Sequence, residues 1–125
     1  MFIVGNEYSR DDINAQLGGS KELFLPHKSG IVLAACLRIK KNPRAPTVIL
    51  CGKGPQREAA AAMLVRQASA IPVFIKRDGG WRYVGRYRPI ASYTSGPEFE
   101  SRIAGSGRDR SDVSRVIVMT PAAKN

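Results

Sequence analysis

The stretch IPVFIKRDGGWRYVGRYRP, residues 71–89, decides how the rest of the chain is read. IPVFIKR is a run of β-branched and aromatic residues, DGG is a turn of the Asp-Gly kind, and WRYVGRYRP returns as a second strand, so a β-hairpin is predicted. Side chains alternate across a strand, which places Trp81, Tyr83, Gly85 and Tyr87 on one face and Arg82, Val84, Arg86 and Arg88 on the other. One face is aromatic and the other cationic. A solvated hairpin needs some charge, but it does not need aromatics interleaved with arginines, and the pattern suits contact with an anion.

The totals agree. Lys and Arg number 20 against 10 Asp and Glu, a formal net charge of +10, and 13 of the 20 cations are Arg. The planar guanidinium fork fits phosphate oxygens and base edges and stacks on bases, whereas Lys is a hydrated point charge. Such an excess favours polyanionic partners, nucleic acid above all, without specifying a fold. At 125 residues and 43% hydrophobic composition the chain is sized for a single domain, 1–125, with its own core.

Outward from the hairpin, SRDDINAQLGG predicts a helix over residues 10–17: Ser9 as cap, Asp12 in the capping-box position and Gly18 as the stop. SKELFLPHKSG carries Pro26 and a Lys28-Ser29-Gly30 turn and reads as loop or short extended chain. IVLAACLRI, residues 31–39, reads as one strand, apolar on both faces. NPRAP bars a helix, TVILC is the next strand, and QREAAAAMLVRQAS after Pro55 is the strongest helix. Residues 92–112, rich in Ser, Gly and Arg, are expected to form a mobile basic loop with at most a turn or two of helix. SRVIVMT closes the domain as a fifth strand. Five short strands and two helices predict an α+β fold, a small curved mixed sheet curled into a partly open barrel.

The candidate chemistry is recognition rather than catalysis. GKGPQRE, residues 52–58, sets Lys53 at a helix amino end, where a phosphate contact and a plain backbone turn are both open readings. It lacks P-loop spacing. His27 is the lone histidine, either a polar contact to a base edge or a structural residue, and no nucleophile motif accompanies it, so no enzyme is expected. Trp81, Tyr83 and Tyr87 are either core or a stacking surface for an unpaired or flipped base. Arg82, Arg86 and Arg88 are candidates for phosphate contact, with Arg102, Arg108 and Arg110 weaker because Asp109 and Asp112 interrupt them. Cys36 and Cys51 sit in apolar runs, predicted to be buried thiols in neighbouring strands. With one His and no paired spacing, neither a metal nor a cofactor is expected. No signal peptide or apolar span is visible, so the expected location is cytoplasmic, away from membranes.

Residues 5–88 resemble bacterial SRA-like domains of the PUA-like superfamily, known as amino-terminal reader modules of HNH-containing, modification-dependent restriction endonucleases. The resemblance is carried by GNEYSRDDINAQLGG, LFLPHKSGIVLAACL, NPRAPTVILCGKGP and the IPVFIKR and WRYVGRYR strands. It implies a curved β-barrel that binds double-stranded DNA and flips a modified base, such as 5-methylcytosine or 5-hydroxymethylcytosine, into a pocket. On that reading His27, Trp81, Tyr83 and Tyr87 form the base pocket, and Lys53, Arg82, Arg86 and Arg88 hold phosphates. No HNH segment is present, so the chain is expected to be a non-enzymatic reader working with a separate HNH-type nuclease. The Tyr-Asp-Gly signature of eukaryotic SRA domains is absent as well. Two other readings stay open: an RNA-binding PUA-like protein, and a protein-interaction or regulatory module whose charge serves solubility.

Overall fold

The computed structural model describes residues 1–122. Strand β1 (Glu7–Tyr8) precedes helix α1 (Arg10–Leu17), which starts where the sequence predicts. The Ser9 hydroxyl accepts the Asp12 N–H at 2.9 Å while the Asp12 carboxylate accepts the Ser9 N–H at 3.1 Å, a reciprocal cap that satisfies two amide donors. Strands β2 (His27–Lys28) and β3 (Ile31–Val32) form a small hairpin. Its turn residues Ser29 and Gly30 have φ of 54° and 80°, the twisted geometry of two-residue hairpin turns.

The predicted single strand 31–39 is therefore split, and β4 (Ala35–Arg38) begins only after a break at Leu33 and Ala34. The cause is hydrogen bonding from outside the strand. Gln67 accepts the Val32 N–H at 2.7 Å and donates to the Val32 carbonyl at 3.0 Å, standing in for a strand partner, and the Leu33 N–H goes to Pro26 at 2.8 Å.

The remaining elements are β5 (Val48–Gly52), α2 (Pro55–Gln67), β6 (Ile71–Lys76), β7 (Trp81–Tyr93), α3 (Pro97–Ile103) and β8 (Val113–Pro121). The sheet runs β4-β6-β7-β8-β5, with β1 added to the start of β7, and β4 pairs parallel to β6 while the other ladders are antiparallel. It is a curved, unclosed mixed sheet of six strands with three helices, as the α+β reading requires. Alternate residues sort the core. Ala35 and Leu37 of β4 and Ile49 and Cys51 of β5 pack with Ala60, Ala61 and Leu64 of α2. On the opposite face Cys36 and Phe74 pack with Ile13 of α1, and Leu50 and Val116 pack with Phe99 and Ile103 of α3.

Three expectations need correction. The hairpin does not keep one aromatic face, because the β6–β7 register shifts between Val73 and Phe74, where Gly85 adopts φ 113°. The extra residue turns the strand over. Trp81 and Tyr83 join Phe74 under α1, whereas Tyr87 packs on the α2 side. Residues 92–112, expected as a mobile basic loop with at most a turn or two of helix, hold the end of β7, the two-turn helix α3 and a 3-10 turn at Arg110–Asp112, and buried Phe99, Ile103 and Ser106 anchor the segment to the domain. Cys36 and Cys51 are buried thiols, but β4 and β5 are the two edges of the sheet rather than neighbours.

Candidate nucleic-acid interface

Because the sheet does not close, the seam between β4 and β5 stays open, and there lies a cleft of about 980 Å³. Cys36 and Arg38 line it from β4, Leu50 and Gly52 from β5, and Lys76 and Trp81 from β6 and β7. The seam is stable because side chains replace the missing strand. Leu50 donates its N–H to the Oδ1 of buried Asn42 at 2.9 Å, and its carbonyl accepts from Arg108 at 3.2 Å. Arg108 also donates to the Lys41 carbonyl at 2.9 Å, so one guanidinium ties the 107–112 segment across the edge of β5.

The cleft is strongly cationic. Eight Lys and Arg side chains line it against three acids. Lys21, Lys41, Lys53 and Arg57 stand on its flanks, and the inner wall carries a tighter group. The Arg10 and Arg38 guanidinium carbons and the Lys76 ammonium nitrogen lie over the Trp81 ring at 5.5, 5.4 and 5.5 Å from its centroid. Register explains the gathering, since Arg38 pairs with Lys76 and Lys76 with Trp81 across three strands, while α1 brings Arg10 from the side. Each cation gains about 0.5–1 kcal/mol from the ring quadrupole at an exposed site. Arg10 is fixed further by donating to the Ser20 and Leu23 carbonyls at 2.7 and 2.9 Å, and its Nε is buried without a partner. Beside it, burial pushes the Cys36 thiol up to about 11, with Arg10 opposing the rise.

The predicted base-pocket residues are not brought together. Trp81 alone of the four lines the cleft, and at 6% exposure its ring lies beneath the cations gathered over it. Tyr83, at 9% exposure, is core, with its ring 5.2 Å from Phe74, and burial raises its hydroxyl above the ordinary range. Tyr87 is half-buried on the other side of the sheet. His27 lines a separate small hollow with Pro55 and Ala59, one ring nitrogen 3.1 Å from the Leu25 carbonyl.

Of the predicted phosphate contacts, Lys53 lines the cleft, Arg82 is paired with Glu7 at 3.3 Å, Arg86 donates to the Ala70 carbonyl at 3.1 Å, and Arg88 is exposed on β7. Arg10, Arg38, Lys76 and half-buried Phe24 were not predicted as site residues. The KR at the end of β6 hinted at Lys76, but Arg10 and Arg38 join it only through folding. Among the described residues no cluster of His, Cys, Asp or Glu could hold a metal ion, and no helix is long and apolar enough to cross a bilayer.

No protein-family model matches the chain, and no curated protein matches it. Among solved structures it is similar to the SRA domain of SUVH5, crystallised in complex with hemi-methylated CG DNA. The TM-score is 0.61 at 10% sequence identity, over 98% of this chain and 90% of that one. The fold is SRA-like. At that identity the likeness is one of backbone course and transfers no side-chain role, so the SRA-like chain's site rests on its own open seam and the charges there.

Proposed function

We propose that this SRA-like protein is a non-enzymatic module that binds double-stranded DNA and reads a modified base flipped into the seam cleft, acting with a separate effector nuclease. The observation that carries the reading is the cleft itself, about 980 Å³ of open space walled by eight cations and three acids. That volume is at the upper end of the range for ligand sites, about 300–1,000 Å³, and leaves room for an extruded nucleotide. The SUVH5 SRA domain, solved with hemi-methylated CG DNA, supports the choice of duplex DNA as partner. Phe24 supplies partly exposed aromatic surface at the cleft, Lys53 and Arg57 flank it, and Arg86 and Arg88 on β7 extend the basic surface along the duplex. The modified base is a 5-substituted cytosine such as 5-methylcytosine or 5-hydroxymethylcytosine.

Fluorescence anisotropy at two salt concentrations tests this, comparing matched duplexes that carry one cytosine, 5-methylcytosine, 5-hydroxymethylcytosine or 5-carboxylcytosine with a single-stranded RNA. The expected result is preference for a modified duplex that persists at the higher salt, because backbone contacts weaken with salt while base contacts change little. Uniform binding that fades with salt, or tighter binding to the RNA, overturns the proposal.

A further inference from the structure

Resting on that reading, the inner wall of the cleft narrows the class of base. We infer that the Arg10, Arg38 and Lys76 group over Trp81 selects an anionic substituent on the flipped base, a carboxylate as in 5-carboxylcytosine, over a methyl group. All three positive centres lie within 5.5 Å of one ring centroid, so they form a single cationic group around that ring, on the wall of the cleft. None of the three takes part in an ion pair among the described residues. Asp109, one of the acids lining the cleft, accepts from the backbone N–H and the hydroxyl of Ser111.

Glu22 and Asp112, the other acids of the lining, are not within ion-pair distance of the three cations either. Like charges gathered without an ion-pair partner repel one another, and an anion placed among them removes that repulsion while gaining charge-assisted hydrogen bonds. A methyl group gains by leaving water for apolar surface. The wall here is guanidinium and ammonium, with the ring behind them only 6% exposed, so a methyl group would displace water from charges and return no hydrogen bond. Trp81 is the positioning residue in this arrangement, since it holds the cations that would touch the ligand.

The test measures anisotropy for four duplexes differing at one position, cytosine, 5-methylcytosine, 5-hydroxymethylcytosine and 5-carboxylcytosine, with the wild-type chain, Arg38→Gln and Lys76→Gln. Both substitutions are at partly or fully exposed ends of strands, and circular dichroism verifies their folding. The expected wild-type result is that 5-carboxylcytosine binds about tenfold tighter than 5-methylcytosine, within the range of a good hydrogen-bonded base contact. Each Gln variant is expected to lose most of that ratio, binding the 5-carboxylcytosine and 5-methylcytosine duplexes within about threefold of each other. If 5-methylcytosine or 5-hydroxymethylcytosine is preferred over cytosine but 5-carboxylcytosine is not the tightest, the inference fails and the reader function stands. If no modified duplex is preferred, the reader function itself fails. Equal weakening of all four duplexes by the Gln variants assigns the group to the phosphate backbone and overturns the inference.

Discussion

The seam that makes the cleft depends on a buried amide, and Asn42→Ala tests that dependence. Asn42, 5% exposed, accepts the Leu50 N–H at 2.9 Å and donates to the Arg38 carbonyl at 3.3 Å, linking the two edge strands through one side chain. Alanine removes both bonds. The longer one contributes little, but Leu50 is itself buried and its N–H points away from β8, so a backbone donor loses its acceptor. An orphaned buried donor costs about 1–3 kcal/mol, and about 2 kcal/mol is expected here. For a chain of this size that corresponds to a fall of roughly 6–10 °C in Tm.

Urea titration followed by circular dichroism measures the loss, and the slope of the transition is expected to stay unchanged because the exposed surface does not change. Arg108→Ala removes the partner of the Leu50 carbonyl and is expected to destabilise as well. Since both side chains serve one residue, the double variant is expected to depart from additivity by about 0.5 kcal/mol or more. An Asn42→Ala protein within about 0.5 kcal/mol of wild type, a change typical of neutral surface sites, would refute the account of the seam. It would mean that water in the cleft serves the Leu50 amide as well as the side chain does.

Three further outcomes are expected. Gly85→Ala puts a side chain at φ 113° in the middle of β7, and about 1–3 kcal/mol of stability is expected to be lost in the same titration, whereas a neutral result would dismiss the bulge as a register device. Burial pushes Cys36 up to about 11 and Cys51 up to about 12, so neither thiol is expected to react with a disulfide reagent at pH 8 until the chain unfolds. The native state favours the protonated thiols. Their contribution to stability is therefore complete below the ordinary thiol value of 9.0 and is lost as pH rises from there through 11 and 12, which pH-dependent urea midpoints check.

Local chemistry was legible in the sequence wherever it acts over a few residues. The Ser9 and Asp12 cap, the first turn of α2 at Pro55 and the strand at 48–52 are set by neighbours in the chain, and each falls where its residues place it. The break after Val32 was not legible because its cause, Gln67, lies 35 residues downstream. The splitting of the hairpin face has the same character. WRYVGRY alternates without interruption, and only a glycine at φ 113° opposite Val73 reveals that one residue is skipped.

That skipped residue also explains why the site moved away from the conspicuous aromatics. Had β7 kept strict alternation, Trp81, Tyr83 and Tyr87 would share one surface, as a stacking platform requires. With the bulge, Tyr83 is committed to the core under α1 and Tyr87 to the side that carries α2. Trp81 is left at the end of the ladder, level with Lys76 and, one strand further, Arg38. The aromatic that reaches the cleft therefore arrives with cations already in register beside it. The same geometry that removes a stacking platform builds a positive wall, and the chemistry of recognition shifts from π-surfaces toward charge. A cationic wall at an open seam is how this chain's basic composition becomes a site rather than a diffuse surface, because there positive groups without ion-pair partners line a concave space instead of standing singly in bulk water.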